Sequence, residues 1–254
     1  MTSEDLVPRV LYRDALVIIL DKPAGVPVHA GPGNAAERNG QSSAPLTSMF
    51  EALRYGLPRR PELAHRLDRD TSGCLVLGRN RAALGRLGEM FKSGAIKKTY
   101  WAVVAGGPDA MEGVIDLALG RRDPSRGWWM KVDARGQSAV THWRVIGRAA
   151  ASGERQALTA LALEPITGRT HQLRVHCAAM GWPILGDAVY GDAPRSAEPA
   201  LHLQAHVIEI PLYPRRDPIR VEAPIPQHMR AALAACGVDD VAPSGSDSAI
   251  SQPR

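Results

Sequence analysis

The sequence has few cysteines and none arranged in pairs. Cys74, Cys177 and Cys236 lie far apart, no Cys-x-x-Cys occurs, and an odd count of 3 argues against a disulfide framework. They read as reduced thiols, the state kept in the cytoplasm. Long apolar runs are missing too. Ala15–Leu20 is far too short to cross a bilayer, and Met1–Pro8, polar with Glu4 and Asp5, does not have the character of a secretion signal. No membrane partner is expected. A strong charge excess is also lacking: 31 Lys and Arg against 26 Asp and Glu leave +5, which permits a polyanionic partner without demanding one. There is no internal repeat, and no His-Glu-x-x-His that would mark a zinc hydrolase.

Hydrophobic residues fill 44% of the 254 positions, enough for a core in one large domain or two small ones. Apolar runs and alternation predict strands at Val10–Tyr12, Ala15–Leu20, Cys74–Leu77, Lys97–Val104, Gly113–Ala118, Ala139–Val145, Ala157–Leu163 and Val207–Pro211. Helical spacing predicts a core-facing helix over Leu46–Tyr55, with Leu46, Met49, Phe50 and Leu53 inward. A second runs over Arg81–Lys92 and is closed by Gly94. A third starts at Thr170, read as its N-cap, with Leu173, Cys177 and Met180 along one face. Gly31–Ser43 reads as a mobile loop. Arg121–Arg135 reads as a charged loop whose Trp128-Trp129 suits either stacking on bases or packing inward. Residues 1–8 read as a flexible N-terminus, 9–236 as the folded domain, and 237–254, rich in Ser, Asp, Ala and Pro, as a disordered tail.

One stretch organises the rest: Ala64-His65-Arg66-Leu67-Asp68-Arg69-Asp70-Thr71-Ser72-Gly73, directly ahead of the apolar run Cys74–Leu77. The run predicts a buried strand, so the polar residues before it are held close to the core. Thr71-Ser72-Gly73 supplies a turn, with a glycine free to take positive φ. A carboxylate fixed between Arg66 and Arg69 stays ionised, because nearby cations favour the charged form. That suits a nucleophile or general base; the plainer reading is a salt-bridged corner. A second stretch, Pro165–His176, places His171 and Arg174 three apart on a helix, projecting from neighbouring positions. Asp21-Lys22-Pro23-Ala24-Gly25 and Gly181–Gly191 read as loops shaped by their prolines and glycines.

The string His65-Arg66-Leu67-Asp68-x-x-Thr71-Ser72-Gly73 resembles the signature of the RluA-type pseudouridine synthases. Asp21-Lys22-Pro23-x-Gly25, Lys98-x-Tyr100, Ala139-x-Thr141-x-Trp143, Thr167-Gly168-Arg169-x-His171-Gln172-Leu173-Arg174-x-His176 and Gly181-x-Pro183-Ile184-x-Gly186-Asp187-x-x-Tyr190-Gly191 resemble that family's other motifs, in order. The resemblance implies an α+β fold, a mixed and largely antiparallel sheet with flanking helices around a central catalytic cleft, over residues 9–236. It implies isomerisation of specific uridines to pseudouridine in structured RNA, ribosomal or transfer or both, with neither cofactor nor metal. Asp68 matches the family's nucleophilic carboxylate, and Arg174 the arginine whose fork pairs with it. Tyr100 matches the aromatic that packs on the uracil and can take the C5 proton. Arg66 matches the residue that fills the space left by the flipped base, and His65, Arg169 and His171 join it as RNA-binding residues. Asp70 falls at a variable position and stays out of the chemistry. The implied partner is RNA, not DNA, and the chain is expected to act as a cytoplasmic monomer. Many relatives carry an N-terminal S4-like RNA-binding domain, for which this chain has no room. Two other readings compete: a metal hydrolase built on His202 and His206 or His171 and His176, and an RNA-binding module of the same fold without activity.

Overall fold

Val17, Ile18, Ile19 and Leu20 are all fully buried, yet alternate residues meet different partners. Ile18 and Leu20 join Leu75, Leu77 and Phe50 on one side, while Val17 and Ile19 join Cys74, Val76 and Leu87 on the other. This is the period of two expected of strands covered on both faces. The computed structural model describes residues 2–29, 44–123, 129–153, 156–193 and 200–238. Its strands are β1 (Val10–Arg13), β2 (Val17–Lys22), β3 (Glu62–Leu63), β4 (Ser72–Gly78), β5 (Lys97–Ala105), β6 (Glu112–Asp116), β7 (Leu119–Arg121), β8 (Met130–Val132), β9 (Val140–Ala149), β10 (Leu158–Pro165), β11 (Leu203–Ile210) and β12 (Ile219–Glu222). Its α-helices are α1 (Arg81–Ser93), α2 (Gln172–Ala179) and α3 (Gln227–Ala235).

The main sheet has the order β1-β2-β4-β11-β5-β10-β9-β6, with β3 added to β4 and β12 to β11. Its pairings are antiparallel except one: β4 and β11 run parallel, joined at Gln204↔Ser72 and Ala205↔Gly73. Past that short joint the two strands diverge, β4 pairing with β3 and β11 with β12. The joint needs a glycine. Gly73 has φ +101°, and a Cβ there would lie 2.2 Å from the Ala205 carbonyl oxygen. The fold is therefore the α+β fold the sequence implied, with helices flanking a mixed, largely antiparallel sheet.

The predicted strands recur within a few residues, and α1 runs as expected, from an Asn80 cap that accepts the Ala83 N–H at 2.9 Å to Gly94 at φ +74°. Leu46–Leu53 is a 3-10 helix, with the four predicted core residues buried. Four readings differ from the structure. Arg121–Arg135 is not a plain loop: β7 and β8 form a hairpin there, with strands too short for alternation to reveal them. Thr170 is not the N-cap of α2; His171 is, with φ +53°. The turn is instead organised by buried Gln172, whose Oε1 accepts from Arg169 N–H and Thr167 Oγ1–H and whose Nε2 donates to Val140 O and Thr141 Oγ1. Met180 lies in no buried face and is 45% exposed. Leu6, from the segment expected to be flexible, is fully buried beside Ile18 and Leu20. Trp129 has the Arg122 guanidinium 5.9 Å from its ring centroid. The readings of Gly31–Ser43, of Trp128 and of residues 239–254 lie outside the described residues.

Candidate active site

Asp68 sits between β3 and β4, where the Thr71 N–H donates to the Asp68 carbonyl at 3.2 Å and closes the turn. Lys22 lies beneath it, fully buried. Its Nζ donates to the carbonyls of Pro23, Arg69 and Thr71, each at 2.8 Å. The Asp21-Lys22-Pro23 loop is thus a clamp on the segment that carries Asp68. Burial pulls the Lys22 pKa down to about 7, against the opposing pull of Asp70, Asp68 and Asp21. Three carbonyl acceptors match the three N–H donors of its ammonium form.

The sequence placed Asp68 between Arg66 and Arg69. In space Arg69 turns to Asp70, at 3.0 Å, and Arg66 is exposed. The groups that face Asp68 come from the start of α2. Arg174 Nη1 is 3.9 Å and His171 Nε2 3.8 Å from Asp68 Oδ2. The bidentate fork expected between Arg174 and Asp68 goes elsewhere. Arg174 Nε and Nη2 donate to the two oxygens of Asp187, each at 2.8 Å. Asp187 is 1% exposed and Asp68 27% by side chain, so Asp187, cut off from water, takes the fork. It also accepts the Val189 and Tyr190 N–H groups. Burial by itself opposes the Arg174 charge, but the bonds to Asp187 and the nearby Asp68 hold its pKa above the usual value. Burial likewise pushes Asp187 up, and the Arg174 bonds overcome it and hold that carboxyl low.

His171 connects this pair to the β7–β8 hairpin. Its Nδ1 is 2.7 Å from Tyr190 Oη, which accepts the Met130 N–H at 3.0 Å. Donation of the Tyr190 hydroxyl proton to His171 Nδ1 fits this geometry and corresponds to the tautomer with its proton on Nε2, toward Asp68. Burial keeps the His171 pKa below its ordinary value despite Asp68 nearby, so the ring is neutral at pH 7. The left-handed backbone at residue 171 is rare for a non-glycine.

Asp68, Tyr100, His171 and Arg174 line one cleft of about 610 Å³, with Arg66, Arg169 and His65 on its walls. Tyr100 sits on β5 beside the β4–β11 joint and packs on both neighbouring core clusters. Burial, then the charge of Asp68, raises its hydroxyl pKa well above the usual range, so the phenol stays protonated at neutral pH. His65 accepts the Val76 N–H through Nε2 at 3.0 Å and lies 4.5 Å from the Phe91 ring. Burial drops its pKa to about 3; the ring holds the segment that carries Asp68 against β4 as a neutral group. Lys22, Asp187 and Tyr190 were read only as loop residues. The one available signal was a charged residue inside a rigid, proline- and glycine-rich stretch.

A family model described as RNA pseudouridylate synthase matches residues 16–179, which include Asp68, Tyr100 and Arg174. The chain belongs to this family. An uncharacterized RNA pseudouridine synthase of Zymomonas mobilis is 42% identical over 224 residues, covering 87% of this chain and 95% of the relative. Ribosomal large subunit pseudouridine synthase D of Xylella fastidiosa is 35% identical over 255 residues, covering 93% and 71%. The solved structure of human RNA pseudouridylate synthase domain containing 1 superposes with a TM-score of 0.70 at 28% identity, over 93% of this chain and 89% of that one. As an RNA pseudouridylate synthase of the RluA type, the protein is an isomerase. The metal-hydrolase and inactive-module readings give way to that membership. Of the histidines weighed for metal, His206 lies against the Trp101 ring at 3.8 Å and beside Glu222 at 3.1 Å, and His202 Nδ1 is 2.7 Å from the Ala200 carbonyl. Among the described residues no helix is long and apolar enough to cross a membrane.

Proposed function

We propose that this pseudouridine synthase acts on uridines in structured ribosomal or transfer RNA, in the cytoplasm and as a monomer, with Asp68 as its nucleophile. The observation that carries the reading is one carboxylate in the cleft, faced by Arg174 at 3.9 Å and His171 at 3.8 Å, with Tyr100 lining the same space. Isomerisation breaks the C1′–N1 bond and forms C1′–C5; the proton leaves C5 and N1 gains one, so nothing is oxidised. Three routes are open to the carboxylate: attack on uracil C6, attack on C1′, or removal of a ribose proton to give a glycal. Each requires it ionised. The target base must leave its stack to reach Asp68, and filling of the gap by Arg66, as the resemblance implies, is supported by its exposure on the cleft wall. Arg169 and the neighbouring cleft residues contact the RNA. Ribosomal RNA is supported by the relative named for the large ribosomal subunit. Mapping pseudouridines in total RNA with and without the gene tests the substrate. Asp68→Asn, nearly isosteric, is expected to fold normally and abolish turnover; a rate near wild type refutes the nucleophile.

A further inference from the structure

Beside the cleft lies a second cavity, of about 630 Å³, that this chemistry does not use. The β7–β8 hairpin gives it Arg121, the turn before β9 gives Arg135, and the two segments carrying the catalytic groups give Arg66 and Arg169. Among the described residues no carboxylate lines it. None of the four guanidiniums pairs with a carboxylate among the described residues; Arg169 Nε donates to the Ser138 carbonyl instead, at 3.0 Å. Asp133 accepts the Arg135 N–H at 3.0 Å and interacts with its charge, but one carboxylate does not offset four converging cations, and an anion between them relieves their repulsion. The cavity is held open by backbone bonds. Leu119 N–H donates to Gln137 O at 2.9 Å and Gln137 N–H to Leu119 O at 2.8 Å. Gly136 packs so closely beneath that a Cβ there would lie 2.3 Å from the Leu119 carbonyl. Arg66, Arg169 and Thr170 line both cavities, so the second adjoins the first.

We propose that this four-arginine groove binds the phosphodiester backbone of the RNA strand adjoining the nucleotide in the cleft. The inference rests on reading the cleft as the uridine site. A strand that places one base at Asp68 carries its next phosphates out of the cleft, and the adjoining groove offers them guanidinium forks that match phosphate oxygens. Such contacts fix register and carry affinity without reading sequence.

The test compares Arg121→Ala/Arg135→Ala with Arg81→Ala/Arg86→Ala, which removes the same charge from α1, whose arginines line neither cavity. Binding of a fluorescein-labelled dodecauridylate is followed by anisotropy across a range of KCl concentrations. The groove variant is expected to flatten the slope of log K against log salt by about 1.4 units, two contacts at about 0.7 each, and the α1 variant to leave it unchanged. Arg121→Lys/Arg135→Lys keeps both charges and is expected to restore the slope, which separates lost contacts from lost folding. Equal slopes in wild type and groove variant, or equal losses in the groove and α1 variants, overturn the proposal. Pseudouridine formation is measured separately. A wild type that never isomerises uridine yet shows the groove-dependent slope refutes the proposed function and leaves the groove standing, and the reverse result does the opposite.

Discussion

Arg174 does two things with one guanidinium. Its Nε and Nη2 neutralise buried Asp187, and its Nη1 is left to face Asp68. A lysine offers a point charge without the fork and cannot do both. Arg174→Lys is expected to lose on the order of 10²-fold in turnover, the scale of one lost preorganised donor, and to melt earlier because Asp187 is left poorly paired. Asp187→Asn tests the same link from the other end: it keeps the shape, weakens the grip on Arg174, and is expected to lower both melting temperature and kcat. Wild-type kinetics in Asp187→Asn, measured under saturating RNA, would free Arg174 from any dependence on Asp187. For Tyr100 the hydroxyl, held protonated by burial and Asp68, is the question. Tyr100→Phe keeps the aromatic face. If the hydroxyl relays the C5 proton, the variant binds RNA normally but accumulates cleaved, unrejoined nucleoside. Normal pseudouridine yield would confine Tyr100 to packing.

Among the elements, β4 decides the most. Gly73 lets it approach β11 where no other residue fits. Gly73→Ala combines a strained φ with a collision at the Ala205 carbonyl, together about 3 kcal/mol or more. Denaturant unfolding is expected to show a loss of that size, with activity falling further because the joint sets the spacing of Asp68 and Tyr100. An unchanged midpoint would mean the joint yields easily. β4, β2 and α1 were legible because their signals are local: apolar runs, helical spacing, a closing glycine. The sites of Asp68, Tyr100 and Arg174 were legible through motif resemblance, not through their spacing. What stayed hidden was long-range. Nothing near Arg174 in sequence says that its fork goes to Asp187 rather than Asp68, and nothing near Lys22 says that its amine reaches the Arg69 and Thr71 carbonyls. The β7–β8 hairpin escaped because three-residue strands carry no period. Thr170 misled because a buried glutamine, not a hydroxyl, organises the turn.

At the scale of the whole molecule, the start of α2 lines the cleft while the hairpin and the turn before β9 line the cavity beside it, so the proposed chemistry and the proposed RNA contacts adjoin. An isolated stem-loop bearing the target uridine is therefore expected to be a sufficient substrate, modified at a rate comparable to the full-length RNA and bound more weakly as salt rises. Modification only of a protein-bound ribosomal particle would contradict that. The place of β11 also bears on how the protein is made. It is among the last strands to be synthesised, yet it lies between β4 and β5. On a ribosome, a nascent chain that ends before Leu203 already contains Asp68, Tyr100, Arg174 and Asp187, but its two half-sheets have no common partner to set them side by side. Such pairing between distant parts of the chain is slow to form. The side chains proposed to do the chemistry are thus translated before the strand that joins the two half-sheets, and the cleft is expected to take shape only once β11 slots into the middle.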